Sequence, residues 1–231
     1  MAVERFTATE EKLKTNDKRT KDWFSMVKIT WLGHASFRIA EKPVVYIDPW
    51  KLLSRPGDAD LVLISHAHYD HYSSPDIAKV VGPNAQILGP ADVIGKNRKG
   101  TPLLPGQMVE LPGLRVFGVP AYNLDKPNHP QANHWLGFIL EIGNLRIFYA
   151  GDTDPIPEHA DLGKIDVALL PVSGGPTLTA EQAAELANRL QARTAIPCHY
   201  GDFIGSRKDA DRFAAAAPAA RILPPGQSLE M

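Results

Sequence analysis

The chain has 231 residues, of which 44% are hydrophobic and 22% are charged, with a formal net charge of −1 at pH 7. This length and composition are those of a globular domain with a substantial core. The near-zero charge provides no global attraction to nucleic acid or to an anionic membrane. No apolar run approaches the roughly 18 to 20 residues that a membrane span requires, so no span is expected.

The N-terminal 25 residues differ from the rest of the chain, because they are rich in charges of both signs and have no apolar stripe before Trp23 and Phe24. We expect residues 1–25 to be an N-terminal extension of a domain over 26–231, either a short helix anchored by these aromatics or a loosely ordered tail. The extension is too polar for a secretory signal, and the single cysteine, Cys198, excludes an intrachain disulfide. Both features favour the reducing cytoplasm.

From Val27 onward, short apolar runs alternate with Gly, Pro and Asp, a pattern typical of strands and turns. Gly143-Asn144 predicts a two-residue hairpin, and Thr179 with Gln182 predicts a capping box at the clearest helix. The chain favours one mixed α/β domain with several hairpins over an alternating βαβ fold. Strands are predicted over 27–33, 36–40, 44–48, 60–65, 85–89, 107–111, 114–120, 135–142, 145–151, 165–171 and 194–199, and helices over 74–82, 91–97, 179–192 and 208–217.

The segment "SHAHYDHY" places His66, His68, Asp70 and His71 directly after the apolar run "LVLI". Residues two apart in an extended segment point the same way, so His66 and His68 can bind one ion. Asp70 and His71 follow where the chain turns and can face a second ion. Imidazole is a good ligand for zinc and also for iron, manganese and nickel. This spacing predicts a metal site.

Four residues cannot complete two metal sites, and two later strand ends offer further ligands. Asp152 in "YAGDTDP" can bridge two ions, although Asp also occurs as a turn residue, a role that Asp154 can fill instead. His199 in "IPCHYGDF" ends another predicted strand. Beside the histidine cluster, we interpret both Asp152 and His199 as ligands.

The ordered set His66-x-His68-x-Asp70-His71, Gly151-Asp152-Thr153 and His199 resembles the metallo-β-lactamase superfamily. The opening segments "VKITWLGHASFRI" and "VVYIDPW" resemble a branch of broad metal-dependent hydrolases similar to L-ascorbate-6-phosphate lactonase and, more distantly, N-acyl-phosphatidylethanolamine phospholipase D. The resemblance covers about residues 27–231. It implies an αββα sandwich with two metal ions in a cleft at one edge.

The family also implies a third histidine for the first metal, from the loop after "LRVFGVP", and here the sequence departs from the pattern. No histidine occurs near Ala121 to Asn123, whereas His129 and His134 lie further along the same loop. We predict His129, which lies deeper in the loop, and leave His134 as the alternative.

The resemblance implies hydrolysis of a small-molecule ester, lactone or phosphodiester by a metal-bound hydroxide, with two zinc ions expected and Mn²⁺, Fe²⁺ or Ni²⁺ as alternatives. Asp70 is predicted to orient the water or relay its proton. His34 is predicted as a second catalytic residue that supports the ligands, or as a buried core histidine, and Asp48 either supports a ligand or caps a turn.

Two other functions remain as alternatives. A nucleic-acid phosphodiesterase of the same fold would be expected to carry basic insertions, which this near-neutral chain lacks. A non-catalytic metal-binding protein would show no turnover. Redox use of iron would favour an acidic residue at position 68, so His68 argues against it. The sequence is also compatible with a homo-oligomer.

Overall fold

The computed structural model describes residues 26–96 and 100–231. The predicted extension over 1–25, with Trp23 and Phe24, lies outside the described residues. The described strands are β1 (Lys28–Gly33), β2 (Ser36–Ala40), β3 (Val45–Ile47), β4 (Ala59–Leu63), β5 (Val81–Gly89), β6 (Thr101–Pro102), β7 (Met108–Leu111), β8 (Leu114–Pro120), β9 (Leu136–Ile142), β10 (Leu145–Tyr149), β11 (Val167–Pro171), β12 (Thr194–Cys198) and β13 (Ser228–Glu230). The α-helices are α1 (Ser74–Val80), α2 (Ala91–Lys96), α3 (Ala180–Arg189) and α4 (Arg207–Ala216).

The strands form two mixed sheets. The first has the order β13-β1-β2-β3-β4-β5-β6, and the second has the order β12-β11-β10-β9-β8-β7. In the first sheet, β3, β4, β5 and β6 run parallel, whereas β13, β1, β2 and β3 pair antiparallel. In the second sheet, β10, β11 and β12 run parallel and the remaining pairs are antiparallel. The carboxyl ends of the parallel strands therefore meet at one edge of each sheet.

Alternating side chains explain why the first sheet has two buried faces. On β4, Leu61 and Leu63 belong to the main core with the second sheet, whereas Val62 belongs to a separate cluster that includes Ile77 of α1 and Val93 of α2. Successive residues of a strand point to opposite faces, so an uninterrupted apolar run can serve both layers.

Helices α3 and α4 pack against β11 and β12 of the second sheet. The capping box predicted at Thr179 and Gln182 is present, and Ala183, Leu186 and Ala187 of α3 are buried. With α1 and α2 on the first sheet, the layers are helix, sheet, sheet and helix, which confirms the predicted αββα sandwich. No helix among residues 26–96 and 100–231 is long and apolar enough to cross a membrane.

Several predicted element bounds are corrected by the structure. Helix α1 ends at Val80 and strand β5 begins at Val81, because Val81 already has extended backbone while it caps the helix. The predicted strand over 85–89 therefore begins four residues earlier. Helix α3 ends at Arg189 rather than at 192, and the short edge strands β6 and β13 were not predicted.

Candidate metal centre

The predicted site residues lie at the ends of strands from both sheets. His66, His68, Asp70 and His71 follow β4, His34 lies between β1 and β2, Asp48 follows β3, Asp152 follows β10 and His199 follows β12. Ligand sites of open α/β sheets lie at such carboxyl ends. The two sheets thus bring together side chains that are far apart in sequence.

The backbone turns sharply where these side chains are placed. His34, Asp48 and His199 have positive φ angles of 48°, 42° and 58°, a region that few residues other than glycine adopt. Gly151, just before Asp152, has φ of 66°, and a Cβ there would lie 2.6 Å from the carbonyl oxygen of Leu136. Residues with positive φ angles are concentrated at functional sites, where the backbone fixes the direction of the side chain.

The predicted ligands converge in three overlapping groups, in each of which the candidate ligand atoms lie within 4.8 Å of one another. His66 and His68 meet at 3.0 Å through Nε2 and Nδ1. The Oδ2 atom of Asp152 lies 3.2 to 3.9 Å from the Nε2 atoms of four histidines. The groups are His66, His68 and His129; His66, His71 and Asp152; and His34, Asp70, His71 and His199.

The structure separates the two histidines that the sequence left as alternatives. His129 is buried, and its Nε2 lies 3.5 Å from Asp152 Oδ2. His134 is exposed at the end of a short 3-10 helix, Gln131–Asn133, and lines a different cavity with Tyr122 and Glu158.

Asp154 is placed differently from Asp152, although only one residue separates them. Its Oδ2 accepts a hydrogen bond from the backbone N–H of Leu124 at 2.9 Å, and its Oδ1 pairs with Lys126. Asp154 thus connects the loop after β10 to the loop that carries His129.

Hydrogen bonds fix the orientation of the clustered imidazoles. The carboxylate of Asp48 accepts the Nδ1–H of His71 at 2.8 Å, together with the hydroxyls of Ser65 and Tyr149 at 2.5 and 2.6 Å. Because the Ser65 hydroxyl donates to Asp48, it accepts the Nδ1–H of His66 at 2.9 Å. Each of these two rings therefore presents its Nε2 atom to the centre.

Two further histidines, His129 and His199, are held in the same way. The amide oxygen of Asn123 lies 3.0 Å from Nδ1 of His129, and its Nδ2 donates to the carbonyl of Pro176 at 2.8 Å, which fixes the amide orientation. The Oγ atom of Ser173 lies 3.0 Å from Nδ1 of His199.

These residues fit a cation on the basis of their unpaired atoms. The buried Nε2 atoms of His71, His129 and His199 have no hydrogen-bond partner. Buried polar atoms are normally paired, and metal-bound histidines typically have one nitrogen bonded to a supporting group and the other free for the ion. The donor set of imidazoles and carboxylates suits zinc and neighbouring transition metals.

The charges of the site also favour a cation. Burial opposes ionisation of Asp152, but His199 and His71 outweigh this effect and hold its pKa well below the usual range. The pKa of Asp70 is also lowered, because the nearby imidazoles of His199 and His34 outweigh the effect of burial. Two buried carboxylates therefore stay ionised, and a cation would supply the positive charge that protonated imidazoles otherwise provide.

His34 directly contacts two of the proposed ligands, Asp70 and His199. Its Nε2 is 3.0 Å from Asp70 Oδ2, and its ring centroid is 4.1 Å from that of His199. Burial lowers the pKa of His34, although the bond to Asp70 opposes this.

Comparison with known proteins follows this geometry. Residues 28–199 match the family model described as the beta-lactamase superfamily domain. The chain belongs to this superfamily. It is 31% identical over 227 residues to a UPF0173 metal-dependent hydrolase of Thermococcus onnurineus, covering 89% of this chain and 100% of that protein. It therefore also belongs to the UPF0173 family of metal-dependent hydrolases.

Solved structures of other proteins share this architecture. Igni18, a metallo hydrolase of Ignicoccus hospitalis, has a TM-score of 0.74 and 25% identity, covering 90% of this chain and 99% of that one. The metallo-β-lactamase fold protein YhfI of Bacillus subtilis has a TM-score of 0.72 at 15% identity, covering 89% and 99%. The second likeness shows the fold alone.

Sequence reasoning missed most of the residues that orient this superfamily member's histidines. Ser65 precedes His66 directly, and adjacency to the motif could have indicated it. Asn123 lies where the family pattern implies a histidine, and Ser173 and Tyr149 carry no local signal. Asp48 was considered as a support, and the structure places it on His71.

Proposed function

We propose that this protein hydrolyses a small-molecule ester, lactone or phosphodiester at a centre of two divalent cations. His66, His68 and His129 would hold one ion, Asp70, His71 and His199 the other, and Asp152 would lie between them. The convergence of unpaired Nε2 atoms around the carboxylate of Asp152 carries this proposal. Zinc suits this donor set best, with Mn²⁺, Fe²⁺ or Ni²⁺ as alternatives.

When bound, such ions polarise a carbonyl or phosphoryl oxygen and lower the pKa of water so that hydroxide is available at neutral pH. The chain's own residues prepare this chemistry. Asp48, Ser65, Asn123 and Ser173 fix which ring nitrogen of each histidine faces inward. Burial of the cluster strengthens every electrostatic interaction within it.

Asp70 is the proposed catalytic carboxylate. Its ionised state is maintained by neighbouring imidazoles, so it would accept a hydrogen bond from a water molecule at the centre and orient it. Oδ2 of Asp70 already pairs with His34 at 3.0 Å. His34 is therefore a positioning residue that holds this carboxylate.

Lactones enter the substrate class through the resemblance to L-ascorbate-6-phosphate lactonase. A nucleic-acid phosphodiesterase and a non-catalytic metal-binding protein are the competing functions, and no contact among the described residues favours either.

A panel of lactones, carboxylic esters, thioesters and phosphodiesters, assayed with metal-reconstituted protein, tests the proposal. We expect turnover of at least one class, its loss in His66→Ala and on chelation, and its retention in His134→Ala. Turnover that persists unchanged in His66→Ala would contradict the proposal. Full metal binding without turnover of any class would favour the metal-binding alternative.

A further inference from the structure

Exposed aromatic rings lie beside the candidate metal centre. Tyr69 is 65% exposed and Phe203 is 53% exposed, and their ring centroids lie 5.6 Å apart. Trp50, which is buried beneath them, has its ring centroid 6.1 Å from that of Tyr69 and 6.0 Å from that of Phe203. We call Trp50, Tyr69 and Phe203 the aromatic wall. Large exposed aromatics are costly in water, and a cluster of them indicates a binding surface.

The aromatic wall adjoins the proposed ligands in sequence and in space. Tyr69 lies between His68 and Asp70, and Phe203 follows His199 by four residues. The ring of His34, which pairs with Asp70, lies 5.1 Å from Phe203 and 4.9 Å from Trp50. A molecule whose reacting group is at the metal centre would therefore contact this wall.

A cavity of about 660 Å³ is lined by Trp50 of the wall and by His34, and also by Trp31, Leu52, Tyr200 and Pro224. This volume lies within the range of small-molecule sites, which bury most of their ligand against apolar and aromatic side chains. The cavity thus offers room for a chain longer than the wall alone can cover.

The basic groups at this surface are already neutralised. The Lys51 ammonium lies over the Trp50 ring at 4.2 Å, but both oxygens of Asp202 bind it at 2.7 and 2.9 Å. Arg207, which lines the cavity, donates to Asp211 at 2.9 Å. The surface therefore suits an uncharged apolar group better than a phosphate or a carboxylate.

We propose that the aromatic wall binds the non-reacting part of the substrate, which is an uncharged acyl or aryl group attached to an ester or lactone. This inference rests on the hydrolysis proposed above and narrows its substrate class. Binding energy from such a remote group lowers the barrier only when the reacting bond is held at the metal centre. Preference should therefore grow with the apolar surface of the substrate.

Chain-length dependence of ester hydrolysis tests this inference. Butanoyl and octanoyl esters of p-nitrophenol have similar chemical reactivity, so their kcat/KM ratio reports on apolar contact. Partial burial of each methylene should raise kcat/KM about two-fold. The octanoyl ester has four more methylenes, so the reconstituted wild type should have a kcat/KM roughly 15-fold higher for it than for the butanoyl ester. In Phe203→Ala the ratio should fall several-fold, mainly through KM, and Phe203→Leu should restore much of it.

Met108→Ala is the matched control, because Met108 is 46% exposed on β7, at the opposite edge of the second sheet. It should retain the wild-type ratio. Equal kcat/KM for the two esters in the wild type, or an unchanged ratio in Phe203→Ala, would overturn the inference. So would a Phe203→Ala effect confined to elution volume in size-exclusion chromatography, because this would assign the wall to a second copy of the chain.

A binding measurement separates this inference from the proposed hydrolysis. Saturation-transfer NMR should detect octan-1-ol on the wild type and on Met108→Ala, with weaker signals for butan-1-ol and for Phe203→Ala. If no ester is hydrolysed but this pattern holds, the hydrolytic proposal fails and the apolar site stands. Equal octan-1-ol signals in wild type and Phe203→Ala would overturn the inference whatever the turnover.

Discussion

At the scale of single residues, the candidate centre depends on side chains that would not touch a cation. Asp48, Ser65, Asn123 and Ser173 occupy the Nδ1 side of His71, His66, His129 and His199 respectively. Without these partners each ring could rotate or change tautomer, and the inward lone pairs would be lost. Supporting groups of this kind typically contribute 10- to 100-fold to metal affinity.

Asp48→Asn tests this support at its most connected residue. The substitution removes the charge that holds His71, while asparagine tolerates the positive φ of 42° at this position. We expect metal affinity to fall about 10- to 100-fold in a competitive chelator titration. Asp58→Asn, which removes a carboxylate that pairs with Arg38 instead, should leave the affinity unchanged. Equal affinity in wild type and Asp48→Asn would show that Asp48 does not support the centre.

The choice between His129 and His134 gives a second test at this scale. His129→Ala should reduce the metal content from two ions to about one, because the first site would keep only two histidines. His134→Ala removes an exposed histidine from the same loop and should change neither metal content nor turnover. The reverse result, measured by elemental analysis of both variants, would show that the loop rearranges to bring His134 to the ion.

At the scale of elements, the loop between β8 and β9 has the least regular route to the site. It is tied to the loop after β10 by Asp154, which binds the backbone of Leu124 and the side chain of Lys126. Asn123 ties it to the turn at Pro176. The other proposed ligands are positioned by the ends of strands, whereas these loop contacts position His129.

Asp154→Ala should loosen this loop without removing a proposed ligand. We expect weaker binding of the ion held by His66, His68 and His129, with a smaller loss than in His129→Ala. Chelator competition on the two variants, with the exposed Asp161→Ala as control, measures the difference. A loss equal to that of His129→Ala would instead indicate that Asp154 is itself a ligand.

At the scale of the whole molecule, sequence patterns predicted most strands and helices, the family resemblance predicted the layers, and the motif spacing predicted most residues that converge at the candidate centre. Apolar runs such as Val45 to Ile47 identify strands because both faces of the first sheet are buried. The spacing around His66 identifies the site because neighbouring ligands must share one ion. Sheet order could not be predicted, since it depends on contacts between segments as distant as β1 and β13.

The site residues that the sequence did not predict were missed for the same physical reason, because they depend on contacts between distant segments. Tyr149 and Ser173 reach the centre only because β10, β11 and β12 lie side by side. The position of His129 was harder to predict, because it depends on loop contacts made by Asn123 and Asp154. Periodicity carries no information about such contacts, and only adjacency to the motif points to Ser65.

Stability should also depend on pH through a histidine outside the centre. His159 is fully buried beside Phe148, with both ring nitrogens unpaired, and burial followed by repulsion from Arg189 lowers its pKa to about 4. Because the unfolded state binds this proton near pH 6.5 and the folded state only near pH 4, stability is lost as pH falls through this window.

His159→Phe removes this titration while retaining an apolar ring. Denaturant unfolding at pH 7 and pH 4 should show that wild type loses about 3 kcal/mol more than the variant over this interval. The proposed ligands titrate in both proteins, so their contribution cancels in the difference. Parallel pH profiles for the two proteins would show that His159 is not held neutral by the fold.

Elemental analysis of the purified, zinc-reconstituted protein tests the central claim most directly. The account predicts two ions per chain in the wild type and a clear loss in His66→Ala. Fewer than one ion per chain after reconstitution, or the same content in wild type and His66→Ala, would contradict it.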